Sequence, residues 1–325
     1  MFRILGGLVS PSGARGRLSI LIYHRALPSP DPILHDSIDA AQFERHMALL
    51  AADFNVLPLS EACTRLSRGQ LPARAVSITF DDGYADNESV ALPILRRYGL
   101  TATFFVATGF SDGQIMFNDA VIEAVRSASA GTYDLSTLGV GVRSLADSES
   151  RRATIDAIVG RLRYQTLNER ALLVERLIAA LRSTLPKDLM MTPAQIKRLH
   201  DENMEIGGHT INHPLLASLD EQQARAEIVG GKHRLEEITG APVKLFAYPS
   251  GKPGRDYGSR DVQLVREAGF AAAFSTVVGI ANASSDPLQL PRFGAWDRNP
   301  NRLGVRLLMG CARAAPAAPA LQPQY

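Results

Sequence analysis

At 325 residues, 46% of them hydrophobic and 21% charged, the chain is long enough for one large α/β domain or two ordinary ones around a sizeable core. A net charge of only +2 gives no electrostatic footprint for nucleic acid or for an acidic membrane surface. Two widely separated cysteines, Cys63 and Cys311, read as inert thiols of a cytoplasmic protein rather than as a disulfide framework.

The first residues hold Arg3 and a short apolar run that Pro11, Gly13 and Arg15 interrupt before a secretory leader can form. Weak peripheral attachment to a membrane through Phe2, Ile4 and Leu5 is compatible with this segment. No stretch approaches the roughly 18 consecutive apolar residues of a membrane span. Strand-like runs follow at 18–24, 75–81, 102–107, 204–209, 243–249 and 271–276. Helices between them have recognisable starts, with Asp39 and Gln42, Thr192 and Gln195, and Asp220 and Gln223 at capping-box spacing and Pro193 at a first helical position. Gly99, Gly240 and Gly269 stand where left-handed residues end helices. Nearly continuous apolar strands alternating with helices predict an α/β fold with a parallel sheet, either a barrel or an open doubly wound sheet.

From about 111 to 190 the alternation stops. Two amphipathic helices are expected there, at 150–164 and 167–181. The second opens on a Thr166–Glu169 capping box and carries Leu172, Leu173, Leu177 and Leu181 on a common stripe. The region reads as a helical insertion between two strands. The tail 312–325, rich in alternating Ala and Pro, is expected to be disordered.

Three stretches carry chemistry. In Ser77-Ile-Thr-Phe-Asp-Asp-Gly-Tyr84 an apolar strand runs straight into adjacent carboxylates, at the end of a parallel strand where ligands gather. Two such acids repel each other and need a cation or a proton to coexist; the alternative is a simple Asp-Asp-Gly turn. In Ile206-Gly-Gly-His-Thr-Ile-Asn-His-Pro214, two imidazoles three residues apart can join a carboxylate in an open three-ligand metal site. Thr210 after the first His and two glycines before it exclude a helical zinc-protease motif, leaving two unrelated turn histidines as the alternative. Leu245-Phe-Ala-Tyr-Pro-Ser-Gly251 ends a strand in a turn that can aim an N–H at an oxyanion.

In that order, Thr79-Phe-Asp-Asp-Gly83, His209-Thr-Ile-Asn-His213 and Phe246-Ala-Tyr-Pro-Ser-Gly251 resemble the first three motifs of the polysaccharide deacetylase family, a carbohydrate esterase family. Ile22-Tyr-His-Arg25, Thr101-Ala-Thr-Phe-Phe-Val106 and Glu267-Ala-Gly-Phe270 are also similar to family segments, so the likeness spans 18–295. The resemblance implies a distorted, incomplete parallel β/α barrel over 18–300, with the 111–190 insertion. It implies a divalent metal, Zn2+ foremost with Co2+ or Ni2+ as alternatives, held by Asp82, His209 and His213. Asp81 would be the general base and the Ser250 N–H the oxyanion donor. The expected reaction is removal of N-acetyl groups from N-acetylhexosamine units of a poly- or oligosaccharide in exopolysaccharide metabolism. A carbohydrate O-acetyl esterase and a non-catalytic carbohydrate-binding relic are the alternatives. No nucleic-acid partner and no transmembrane segment are expected, and the oligomeric state is unreadable.

The chain departs from the family pattern twice. Ala247 stands where an Arg often braces the catalytic Asp, and Arg292 in Leu290-Pro-Arg-Phe293 is the candidate to supply that cation from another strand. The usual Leu-x-His near the C-terminus is missing, so His24, which ends the first strand, becomes the expected general acid. Tyr248, Arg292 and Trp296 join Ser250 as expected substrate- or oxyanion-side residues; Trp296 either stacks on a sugar ring or packs in the core. Tyr84 and Asn87 either touch substrate or begin the next helix. His35 is a loop residue able to approach the cleft, whereas His46 and His200 read as structural or solvated.

Overall fold

The computed structural model describes residues 8–312 apart from Asp36, Tyr164 and the side chain of Leu167. Phe2, Ile4, Leu5 and residues 313–325 of the expected tail lie outside the described residues; Ala312 itself ends a helix.

Among the described residues two compact units emerge, residues 8–29, 37–112 and 191–312 in one, and 30–35 with 113–190 in the other. The first unit is built on seven parallel strands: β1 Leu18–Tyr23, β2 Ala75–Phe80, β3 Thr103–Val106, β4 Glu205–Gly208, β5 Leu245–Ala247, β6 Ala272–Val278 and β7 Leu290–Gly294. Each pairs with the next in sequence, and β1 pairs with both β7 and β2, so the sheet closes. The β1–β2 ladder runs in register from Leu18↔Ala75 to Tyr23↔Phe80. Closure covers both faces of every strand, which is why the sequence shows continuous apolar runs instead of alternation. The barrel is incomplete in the sense that it closes with seven strands, where the eight-stranded form is usual.

Alternate residues still divide between two packing environments. Leu18, Ile20, Phe105, Leu245, Ala247, Ala272, Phe274 and Leu290 fill the interior, joined by Leu59, Ala62 and Leu66 of a helix closing the N-terminal end. Leu21, Tyr23, Val76, Ile78, Phe80, Phe104, Val106, Phe246, Tyr248 and Phe293 face outward, under the surrounding helices. Tyr23, Phe80 and Phe104 stack in sequence across β1, β2 and β3, with centroid separations of 5.3 and 5.0 Å. Interior space is tight: a Cβ on Gly207 would meet the Phe105 ring at 2.4 Å.

The helices of this unit are α1 Ala40–Asp53, α2 Leu59–Ser67, α3 Leu92–Arg97, α7 Pro193–Asp201, α8 Glu221–Thr239, α9 Ser259–Glu267 and α10 Pro300–Ala312, with α4–α6 belonging to the second unit. Asp39, Thr192 and Asp220 cap their helices by accepting from the N–H three residues on, as their spacing requires. Gly240 closes α8 at φ 73°. No described helix is long and apolar enough to cross a membrane. Six of the seven strands were legible as apolar runs. The seventh contains Pro291, which supplies no ladder donor; it sits where the β6–β7 register shifts between Phe274↔Leu290 and Val278↔Arg292.

The second unit holds α4 Phe117–Ser127, α5 Ser148–Leu162, α6 Leu167–Leu181 and an antiparallel hairpin of Thr132–Asp134 with Val142–Ser144. Val121, Val125, Leu135, Ile158, Leu177 and Leu181 are among its buried residues. Helix α5 starts two residues before the predicted position because Asp147 and Ser150 form a reciprocal capping box. On α6, Leu177 and Leu181 are buried as the leucine pattern predicts and Leu173 is half-buried; Val174 joins them, and Leu172 is exposed. The sequence reading missed α4 and the hairpin.

Replacing Gly207 with Val forces a branched side chain against Phe105. The variant is expected to lose about 1–3 kcal/mol in urea unfolding, and pairing it with Phe105→Ala should recover part of that loss.

Candidate active site

Strand β2 ends at Phe80, and the next two residues turn its carboxyl end into a buried acidic pair, Asp81 and Asp82 at 2% and 6% exposure. Their coexistence depends on cationic groups brought from other strands. Arg292 is buried at 1% and forks onto Asp81, Nη1 to Oδ1 and Nη2 to Oδ2, each at 2.6 Å. Its Nε donates to the Ser275 carbonyl at 3.0 Å, and its guanidinium lies 5.6 Å from the Phe105 ring centre. Strand alternation explains the arrangement. Ala247, an interior residue of β5, is too small to reach Asp81, so Arg292 of β7 provides the charge and fixes the carboxylate plane. Burial opposes the charge on Asp81, but Arg292, with His209 and His24 adding to it, holds the carboxyl below its usual range.

Asp82 faces a different pair of groups. His209, the residue after β4, sets Nε2 at 3.3 Å from Asp82 Oδ1, and His213 sets its Nε2 at 3.5 Å from the same oxygen. The two imidazole rings meet edge to face with centres 4.8 Å apart. His209 Nδ1 lies 2.7 Å from the Ala247 carbonyl oxygen, which only an N–H there can satisfy, so Nε2 is the ring nitrogen turned to the cluster. Burial lowers His213 to about 4 despite Asp82, leaving it neutral near pH 7 with an available lone pair. His209 moves the other way: burial disfavours its charge, but the hydrogen bond to Asp82 and the charges of Asp81 and Asp82 outweigh that. Burial likewise works against ionised Asp82, and His209, His213 and His24 together still hold it well below the carboxylate range.

One ligand atom from each of Asp82, His209 and His213 lies within 4.8 Å of the others. A tetrahedral ion with bonds of about 2.0–2.1 Å separates its ligand atoms by roughly 3.3–3.4 Å, close to the two Asp82–His distances. The donor set, two imidazole nitrogens and a carboxylate, suits a divalent ion with a position left open.

Backbone strain concentrates in the same loops. Seven described non-glycine residues have positive φ, and four of them are Asp82 (76°), Thr210 (67°), His213 (51°) and Ser250 (57°). Such conformations persist only where the surroundings over-determine them. The Thr210 hydroxyl accepts from the His213 N–H at 3.1 Å, and Thr276 Oγ1 donates to the Ser250 carbonyl at 2.6 Å.

His24 follows β1 and is half-buried, close enough for its charge to act on Asp81, Asp82 and His213. Asn87 does not point to solvent. It is buried, donates Nδ2 to the His24 carbonyl at 2.9 Å, and opens the π-helical turn Asn87–Ala91. Asp86 joins this support by accepting from Arg25 Nε at 2.7 Å and from the Ala26 N–H at 3.1 Å. Arg25 also lies over the Tyr84 ring at 4.8 Å. Asp86 carries no motif signal and was missed; Arg25 lies in the Ile22-Tyr-His-Arg25 segment but was given no role.

Of the residues expected on the substrate side, Ser250 is exposed on its turn, and Trp296, two residues past β7, is 57% exposed with its ring against Gly294. Tyr248 requires a correction. The residue after Ala247 faces outward, so its ring is fully buried, stacks on Tyr257 at 3.8 Å and donates its hydroxyl to the Leu288 carbonyl at 3.0 Å. Its side chain is therefore core. His46 is fully buried between the Tyr23 hydroxyl (3.1 Å) and the Asp297 carbonyl (2.6 Å), a structural role, whereas His200 is half-buried beside Asp201. His35 is an exposed residue of the second unit.

Comparison with known proteins gives a consistent answer. The sequence profile of the family described as polysaccharide deacetylase matches residues 68–273. The Bacillus subtilis protein YxkH, named for the same family, is 22% identical over 278 residues, covering 85% of this chain and 70% of its own. The poly-beta-1,6-N-acetyl-D-glucosamine N-deacetylase of Staphylococcus aureus is 35% identical over a shorter stretch of 82 residues, 25% of this chain and 28% of that protein. Among solved structures, the Streptococcus pyogenes deacetylase PplD in complex with acetate superposes with a TM-score of 0.61 at 21% identity, covering 91% of this chain and 98% of its own. IcaB from Ammonifex degensii gives 0.60 at 18% identity, with coverage of 94% and 99%. The two structural likenesses establish the barrel.

Removing the Arg292 charge isolates Asp81 in the interior. Arg292→Met is expected to cost about 3–5 kcal/mol at pH 7. Because the folded-state pKa of Asp81 is depressed, the stabilisation is complete above the unfolded value of about 3.9 and is lost as pH falls below it. The wild-type advantage over the variant in denaturant titrations should therefore shrink as pH falls below about 4.

Proposed function

We propose that this chain, which belongs to the polysaccharide deacetylase family, hydrolyses the N-acetyl amide of N-acetylhexosamine units in a polysaccharide or oligosaccharide, releasing acetate and a free amine. The observation that carries this reading is the convergence of Asp82, His209 and His213 on one point beside the buried Asp81–Arg292 pair. The 18–300 region is then the deacetylase barrel. Asp82, His209 and His213 would hold a divalent cation, zinc in the first instance, whose bound form would supply an acidified water and a Lewis acid for the acetyl carbonyl.

The other roles fall to residues of the chain. Asp81 takes the proton of the attacking water. Both its oxygens are occupied by Arg292 in a fixed plane, yet each retains a further lone pair, so the base is oriented before substrate arrives. Arg292 serves this base rather than the substrate. The Ser250 N–H, on a turn held in a left-handed conformation, donates to the developing oxyanion. His24, whose backbone Asn87 anchors, protonates the departing amine. Trp296, exposed beyond β7, offers an indole face to a sugar ring. The curated relative that acts on poly-beta-1,6-N-acetyl-D-glucosamine supports the substrate class and fits a place in exopolysaccharide metabolism.

Acetate release from a panel of N-acetylated oligosaccharides tests this reading. Activity should disappear on chelation and return with Zn2+, Co2+ or Ni2+. His24→Ala should reduce amide hydrolysis by about 10²–10⁴-fold while sparing an activated acetyl ester, whose leaving group needs no proton. Unchanged activity after complete metal removal would contradict the proposal.

A further inference from the structure

The strained loop that carries both histidines is held by a group the motif does not contain. Glu227, on α8, is 8% exposed and directs its carboxylate at the loop. Oε2 accepts from the Ile211 N–H at 2.9 Å and the Asn212 N–H at 2.8 Å, and Oε1 accepts from Asn212 Nδ2 at 2.7 Å. Three donors from two consecutive residues between His209 and His213 thus end on one buried side chain. Just beyond it, α8 presents Gly230 and Gly231. A Cβ on Gly231 would lie 2.8 Å from the Thr210 carbonyl carbon and oxygen, and one on Gly230 would lie 2.6 Å from Ile211 Cδ1. On its other side the loop is gripped by Thr108 and Gly109, whose N–H groups donate to the Thr210 and Ile211 carbonyls at 3.2 and 2.8 Å.

We infer that Glu227 is a positioning residue for the cation site: by holding residues 211 and 212 against α8 it fixes the separation and aim of His209 and His213. The inference rests on the proposed cation site and concerns how that site is kept in shape. Positive φ at Thr210 and His213 means that the loop does not adopt this form by local preference. Three hydrogen bonds to a carboxylate, each stronger than a neutral one, oppose its relaxation.

Co2+ titration of the metal-free full chain tests the inference, with visible absorption reporting both affinity and coordination geometry. Glu227→Gln leaves one oxygen for the two backbone N–H groups but loses the charge and sets its amide N–H2 against Asn212 Nδ2, Glu227→Ala removes the acceptor, and Glu221→Gln on the exposed face of α8 is the control. Both Glu227 variants are expected to bind Co2+ about 10–100-fold more weakly with an altered absorption band, while far-ultraviolet circular dichroism stays that of the wild type. A residue that only stabilises the fold would lower the melting temperature and leave Co2+ affinity and spectrum unchanged, which would overturn the inference. Should either variant fail to fold, Asn212→Ala, which removes only the Nδ2 contact, is expected to weaken Co2+ binding in the same direction; wild-type affinity there also overturns it. Failure of the wild type itself to bind Co2+ would instead strike the proposed cation site.

Discussion

Two carboxylates on consecutive residues, both withdrawn from water, are the constraint on which the rest of the molecule depends. In isolation neither would stay ionised. The barrel resolves this by giving each acid a separate counterpart from a distant part of the chain: a guanidinium from β7 for Asp81, and two imidazoles beyond β4 for Asp82. The division also separates their chemistry. Asp81 is oriented by a permanent charge that cannot leave, whereas Asp82 faces two imidazole nitrogens whose protons can come and go.

The fold serves this arrangement through its period of two. Interior positions of β5, β6 and β7 carry Ala247, Phe274 and Arg292, so a small residue on one strand leaves a path for a long one on another. Gly207 performs the same service for Phe105. Outward positions hold the aromatic residues that bind the barrel to its helices, and Tyr248 belongs to that set despite its place inside a motif.

Much of this was legible in the residue string because parallel strands buried on both faces leave continuous apolar runs and capping residues mark the helices between them. The cluster of Asp82, His209 and His213 was legible because its members lie in two short segments with recognisable spacing. Other features had weaker signals. Pro291 disguised β7, and with it the strand that delivers Arg292. Strand alternation after Ala247 was enough to turn Tyr248 away from the site, had it been applied past the strand's end. Glu227 had no motif to announce it, although adjacent glycines in the middle of α8 are unfavourable for a helix and point to a close neighbour. Asp86 and Arg25 are polar residues in ordinary positions, and only the fold shows that they brace the segment after β1. The hairpin in the second unit is short, three residues a side, too short for a period to register.

Closure of the barrel has a temporal side. Each strand through β7 can add to its predecessor as the chain grows, but the seam between β1 and β7 joins residues near 21 and 293, and Arg292 meets an aspartate 211 positions upstream. Contacts of such sequence separation form late and slowly. A nascent chain that has emerged only as far as β6 therefore carries both acids without their guanidinium, together with an open sheet edge. The guanidinium that pairs with Asp81 and a sealed edge arrive in one event, so a ribosome-bound intermediate stays exposed to strand pairing with its neighbours until β7 is in place.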